Sequence, residues 1–177
     1  MDTYNEALAV LDALPRPDPA LPQGLAADAL HHFETRFGVH VPQDVHEWLR
    51  RTNGAFVDSQ AFLGIAPDMP NDMGEVLTHY PHWVQAQWLP VAVDGCGNVY
   101  VVALDARYGP SHPVLFMDHE DGMDQPAYLV ASSFRHFVPL FIRKEQQWMA
   151  WPFDRALTLA LDPELASCTG APWPWDT

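Results

Sequence analysis

Basic residues are scarce in this chain. Against 23 aspartates and glutamates stand 9 lysines and arginines, for a formal charge of −14 and a pI near 4.7. Such a molecule repels a phosphate backbone instead of releasing its counterions, so direct nucleic-acid binding is disfavoured. Cysteine is scarcer still: Cys96 and Cys168 stand in unlike surroundings, which points to free thiols and excludes a disulfide framework or a thiolate metal cage. No stretch approaches the ~20 apolar residues that span a bilayer. The start, MDTYNEALAV, has acids where a secretory leader needs bases. The expected location is the cytoplasm, and no membrane partner is expected.

What is present is a hydrophobic fraction of 48% in 177 residues, enough for one folded domain. Residues 3–13, TYNEALAVLDA, place Tyr4, Leu8 and Leu11 at helical spacing. The proline series Pro15, Pro17, Pro19 and Pro22 then reads as a stiff extended connector. In LAADALHHFETRFG, Ala26, Leu30, Phe33 and Phe37 form an apolar stripe, with Gly38 placed to end the helix. Asn53-Gly54 in HEWLRRTNGAF is both a hairpin dipeptide and a helix terminator. Pro42 suits a first helical position, Asp44 an early turn, and Val45, Trp48, Leu49 and Thr52 repeat at helical spacing before Arg50 and Arg51. Acid first and base last complement the helix dipole, so Asn53-Gly54 closes a helix.

From residue 55 onward the period shifts toward two. The runs 61–66, 88–93, 99–104, 113–118 and 127–131 read as strands of one meandering sheet. DGCGN (94–98), with Gly95 and Gly97, reads as the hairpin loop between the second and third of these. Pro90 puts its strand at an edge or at a bulge. Residues 67–87 read as a long loop or a broken helix. Ser132 or Ser133 caps a helix whose inner face is Phe134, Phe137, Val138 and Phe141, and Pro139 predicts a kink or restart near 137–140. A last short helix is expected over 153–162, followed by the tail APWPWDT, docked or loose. The fold class is therefore α+β: a single domain with a central, mostly antiparallel meandering sheet and helices packed around it.

Chemistry-bearing motifs are absent or incomplete. There is no HExxH, and adjacent His31 and His32 point about 100° apart on a helix, so they cannot share one ion. His79 and His82 could chelate an ion, but Pro81 and the aromatics flanking them suit a packed loop. Asp118, Glu120, Asp121 and Asp124 resemble a calcium loop only in charge, because glycine falls at position 5 and Leu129 at position 12. The GCGN segment lacks a third glycine and a strand-to-helix setting, and no serine sits in a G-x-S-x-G elbow. No catalysis, cofactor, metal or small-molecule ligand is expected. Trp48 and Trp148 fall in helical segments and read as packing. Trp83 and Trp88 flank the uncertain loop, where either core packing or partner contact suits them.

The order of elements, with Glu34, Gly38, Pro42, Leu49, Asn53 and Gly54 in LHHFETRFGVHVPQDVHEWLRRTNGA, then Gly95, Gly97 and Asp105 in WLPVAVDGCGNVYVVALD, then PVLFMDHE and Phe134 in SSFRHFV, resembles the SUKH family. That family includes bacterial immunity proteins and fungal cell-wall regulators of Smi/Knr type. Val41 stands where the family usually has leucine. The resemblance covers residues ~25–143; it implies a family domain over 25–145, with an N-terminal helix and connector (1–24) before it and an extension (146–177) packed on it. It implies tight binding of a cognate toxin protein, often a nuclease, and no catalysis. The acidic balance adds that a basic partner would be steered toward Asp94, Asp118, Glu120, Asp121 and Asp124, with Trp83 and Trp88 as candidate anchors. Two alternatives stand beside this: a regulatory or scaffolding module with no toxin, and a metal-dependent hydrolase built on His79, His82 and the acids at 118–124.

Overall fold

The computed structural model describes residues 3–13, 24–57, 59–67, 69–146 and 154–176. The proline connector, Trp148 and Phe153 lie outside them. In chain order the elements are α1 (Thr3–Ala13), α2 (Ala27–Phe37), α3 (Gln43–Arg51), β1 (Ala55–Val57), β2 (Gln60–Phe62), α4 (Met73–His79), α5 (His82–Ala86), β3 (Trp88–Val93), β4 (Val99–Ala103), β5 (Val114–Met117), β6 (Tyr128–Ala131), α6 (Phe134–Glu145) and α7 (Arg155–Leu161), with a 3-10 turn at Pro163–Ser167. The strands form one antiparallel meander in sequence order. The α+β reading holds.

Local chemistry sets the helix ends. Gly38 closes α2 in the left-handed region at φ 64°, returning its N–H to the Glu34 carbonyl. The Glu34 side chain then accepts the Val41 N–H at 2.8 Å, which fixes the approach to α3. Pro42 is the residue before α3 and not its first residue. Gly54, at φ 86°, turns the chain from the end of α3 into β1, so Asn53-Gly54 closes a helix, as read. The segment 67–87 is the broken helix of the two alternatives, α4 followed by α5.

Two expectations need correction, and one pair of alternatives is decided between them. The strand expected over 61–66 is only Gln60–Phe62, and it pairs with an unforeseen β1. Strands of three residues are too short to show an alternation. Pro90 is not at an edge, because β3 lies between β2 and β4; it sits beside the register shift between Pro90 and Ala92, the bulge alternative. The second correction concerns α6, which runs through Pro139 as one helix. Its missing bond is outweighed by burial of Phe134, Phe137, Val138, Leu140 and Phe141, since tertiary packing supplies most helical stability.

Strands β2 to β5 are buried on both faces. Tyr100 of β4 and Phe62 of β2 face α6, where Phe137 lies 4.9 Å from Tyr100 and Phe141 lies 4.6 Å from Phe62 between ring centres. Trp48 of α3 joins them at 4.5 Å from Phe62. Each such aromatic, truncated to alanine, costs about 3–5 kcal/mol. Trp88 alternates to the other face and meets Trp83 of α5 edge-on at 6.4 Å. Ser133 caps α6, accepting the His136 N–H. The tail is docked: Leu129 of β6 donates to the Pro172 carbonyl at 2.8 Å.

Candidate protein-interaction surface

The β3–β4 loop is built by Asp94. Its carboxylate accepts the N–H groups of Cys96 at 2.8 Å and Asn98 at 3.1 Å, and the Asn98 amide at 2.6 Å. Both glycines are forced. Gly95, at φ 75°, has no room for a side chain, whose Cβ would lie 2.5 Å from the Ser59 carbonyl; Gly97, at φ 101°, faces the His119 ring.

Asn98 then links this loop to the one after β5. Its side-chain oxygen accepts the His119 N–H at 2.9 Å and lies 2.8 Å from His119 Nδ1. The β4–β5 register explains the meeting, since Val99 pairs with Met117 and the residues just outside that pair are neighbours. Asp118 folds its own loop by accepting the Glu120 N–H at 2.9 Å. At the far end of the loop, the Met123 carbonyl accepts the Trp83 indole N–H at 2.8 Å and lies 3.1 Å from His82 Nε2. His82 Nε2 is also 3.4 Å from Asp124. The loop 118–124 is thus pinned at both ends, leaving Glu120, Asp121 and Asp124 exposed.

The structure therefore brings Asp94 and the acids of 118–124 to one end of the sheet and divides their roles. Asp94 is occupied by its loop and Asp118 partly so; Glu120, Asp121 and Asp124 face outward. Trp83 and Trp88 lie in the core, the packing alternative and not the exposed one. They are 0% and 4% exposed, and the Trp83 indole N–H is taken by Met123. Trp83 instead positions the acidic loop, together with His82, which sequence reasoning assigned to a possible metal. No signal in the sequence joins Trp83 and His82 to a carbonyl 40 and 41 positions away. Asp105 lies past the opposite end of β4, where it pairs with Arg107 at 2.8 Å.

Two other groupings bear on chemistry. Among the described residues no three histidine, cysteine or carboxylate side chains converge on a common point. Ser132, His136 and Asp162 do converge. The Ser132 hydroxyl donates to Asp162 at 2.6 Å, while His136 Nδ1 lies 3.0 Å from that hydroxyl and 3.4 Å from the same carboxylate oxygen. An acyl-transfer triad needs the imidazole between the two, using one nitrogen for each. Here one nitrogen faces both, and the hydroxyl proton is directed to the carboxylate. Asp162 also accepts the N–H groups of Ser132 and Leu165. The cluster is a lock that holds the C-terminal segment to the start of α6.

A family model matches residues 24–139, from the approach to α2 through the first half of α6. The chain belongs to the SMI1 / KNR4 family (SUKH-1). The SUKH match takes in the sheet, both acidic loops and the pinning residues His82 and Trp83. A crystal structure of a protein from Pseudomonas syringae pv. tomato is similar, at 21% identity and a TM-score of 0.51 over 63% of this chain and 81% of that one. At that identity the likeness is of fold alone. No curated protein matches the chain. Among the described residues no helix is long and apolar enough to cross a membrane.

Proposed function

We propose that this SUKH protein is a bacterial immunity protein that acts in the cytoplasm by binding a cognate toxin with a basic surface, and that it catalyses no reaction. The observation that carries this reading is the loop 118–124. It presents three exposed carboxylates, Glu120, Asp121 and Asp124, and is pinned at one end through Asn98 and at the other through Trp83 and His82. Prearranged acids steer a basic partner and lose little freedom on binding it, which lowers the cost of association. The formal charge of −14 supplies the long-range part of that attraction. Family membership supports a protein partner, since the SUKH group includes immunity proteins.

The test is co-expression with each toxin-domain gene that sequencing places next to its own. Rescue of growth, with a 1:1 complex recovered from the cells, is the expected result. A toxin that kills undiminished and co-purifies with nothing overturns the reading.

A further inference from the structure

With Trp83 and Trp88 in the core, the acidic loop has no apolar anchor of its own, yet tight interfaces are dominated by a few desolvated apolar contacts. The structure offers one nearby. Between α2 and α4 lie two adjoining hollows of about 510 and 250 Å³ that share Arg36, Pro67, Asp72 and Gly74. Ala29, Phe33 and Phe37 of α2 and Ile65 line the apolar part. Gly74 lets α4 lie close to α2, since a Cβ there would meet the Asp72 carboxylate at 2.9 Å and the Phe37 ring at 3.4 Å. On the same connection, Met69 is 45% exposed, an unusual state for a large apolar side chain in this molecule.

The cleft's own wall carries a cation, the Arg36 guanidinium lying over the Phe37 ring at 4.8 Å, so the carboxylates that pair with a basic partner lie outside the hollow. On the α4 wall Glu75 is exposed. From the α4 end, a row of side chains leads to the acidic loop: His79 lies against Tyr80 at 4.6 Å, Tyr80 near His82 at 6.2 Å, and His82 against Asp124 at 3.4 Å.

We propose that the α2–α4 cleft receives an aromatic or long aliphatic side chain carried by a basic segment of a protein partner. The acids of 118–124 hold the segment's cations while the cleft desolvates its apolar residue. This rests on the binding role proposed above, and it names the anchor which that role lacks.

The probes are three capped tripeptides, Lys-Phe-Lys, Lys-Ser-Lys and Glu-Phe-Glu, titrated into the isotopically labelled full chain and followed by NMR. Lys-Phe-Lys is expected to shift Ile65, Met69 and Gly74 and to bind about tenfold more tightly than either other peptide, a difference of about 1.4 kcal/mol. Ala29→Arg and Thr78→Arg, which fill the cleft from opposite walls, are each expected to weaken it about tenfold without moving the unfolding midpoint. Absent shifts at the cleft, equal or tighter binding of Glu-Phe-Glu, or indifference to both variants overturns the proposal. The two readings fail separately. A neutralised toxin that binds Ala29→Arg and Thr78→Arg undiminished removes the cleft and leaves the immunity role. Cleft binding of Lys-Phe-Lys without any toxin does the reverse.

Discussion

At the scale of single residues, the junction around Asn53 and Gly54 is the most demanding point in the chain. Asn53 imitates a strand with its amide: its oxygen accepts the Ile65 N–H at 2.7 Å and its nitrogen donates to the Ile65 carbonyl at 2.8 Å. Gly54 has φ 86°, and a Cβ there would stand 2.5 Å from the Asn71 amide, which itself donates to the Phe62 carbonyl. Gly54→Val is expected to cost about 2–4 kcal/mol, the left-handed penalty plus a displaced buried bond, measured by urea unfolding. The conformational half of that cost was legible in the sequence, because Asn-Gly after a helical period demands a positive φ. The crowding half was not, since Asn71 and Ile65 reach the site only through the fold. The two thiols also divide. Cys96 is exposed and Cys168 buried, and burial first, then Asp162 and Glu164, pushes the Cys168 thiol from 9.0 to about 11. Its folded value is raised, so its contribution to stability is complete below pH 9 and is lost as pH rises toward 11. Cys168→Ala is expected to flatten the fall of the unfolding free energy across that window.

Among the elements, the long periodic ones were readable and the short ones were not. α1, α2 and α3 appear at or within a residue of the expected places because their apolar stripes repeat for two turns or more. The β1–β2 hairpin escaped notice because three-residue strands carry too few positions to show a period. α6 defeats the local rule for Pro139 because its aromatics meet partners from β2, β4 and α3, which no local window contains. The C-terminal segment depends on one carboxylate, which accepts from Ser132 twice and from Leu165. Asp162→Ala is expected to destabilise by about 2–4 kcal/mol, since it leaves buried donors without acceptors. It is also expected to speed amide exchange at Leu129, whose N–H is held by Pro172 on that segment. Unchanged exchange there would show that the tail docks independently of the lock.

Seen whole, the molecule separates acids that build from acids that display. Sequence reasoning grouped Asp94 with the 118–124 carboxylates, and the sheet register does bring them to one end, yet only contacts distinguish them. Asp94→Ala is expected to lower the unfolding midpoint, because three donors lose their acceptor. Glu120→Gln, Asp121→Asn and Asp124→Asn combined are expected to leave it in place. The same triple variant is expected to slow association with a basic partner about tenfold and to reduce its dependence on salt, read by stopped-flow at two ionic strengths. Slowed association by Asp94→Ala alone, with the triple variant at the wild-type rate, would reassign the display to the β3–β4 loop.

The docked tail matters beyond its own stability. A sheet with an open last strand invites another copy to continue the ladder. Here the Pro172 carbonyl occupies a donor of β6, and the opposite border is the three-residue β1, too brief to template much. Stacking from molecule to molecule is thereby discouraged at both margins, and a chain cut short before Pro172 loses the safeguard at β6. Its first symptom in concentrated solution is self-association.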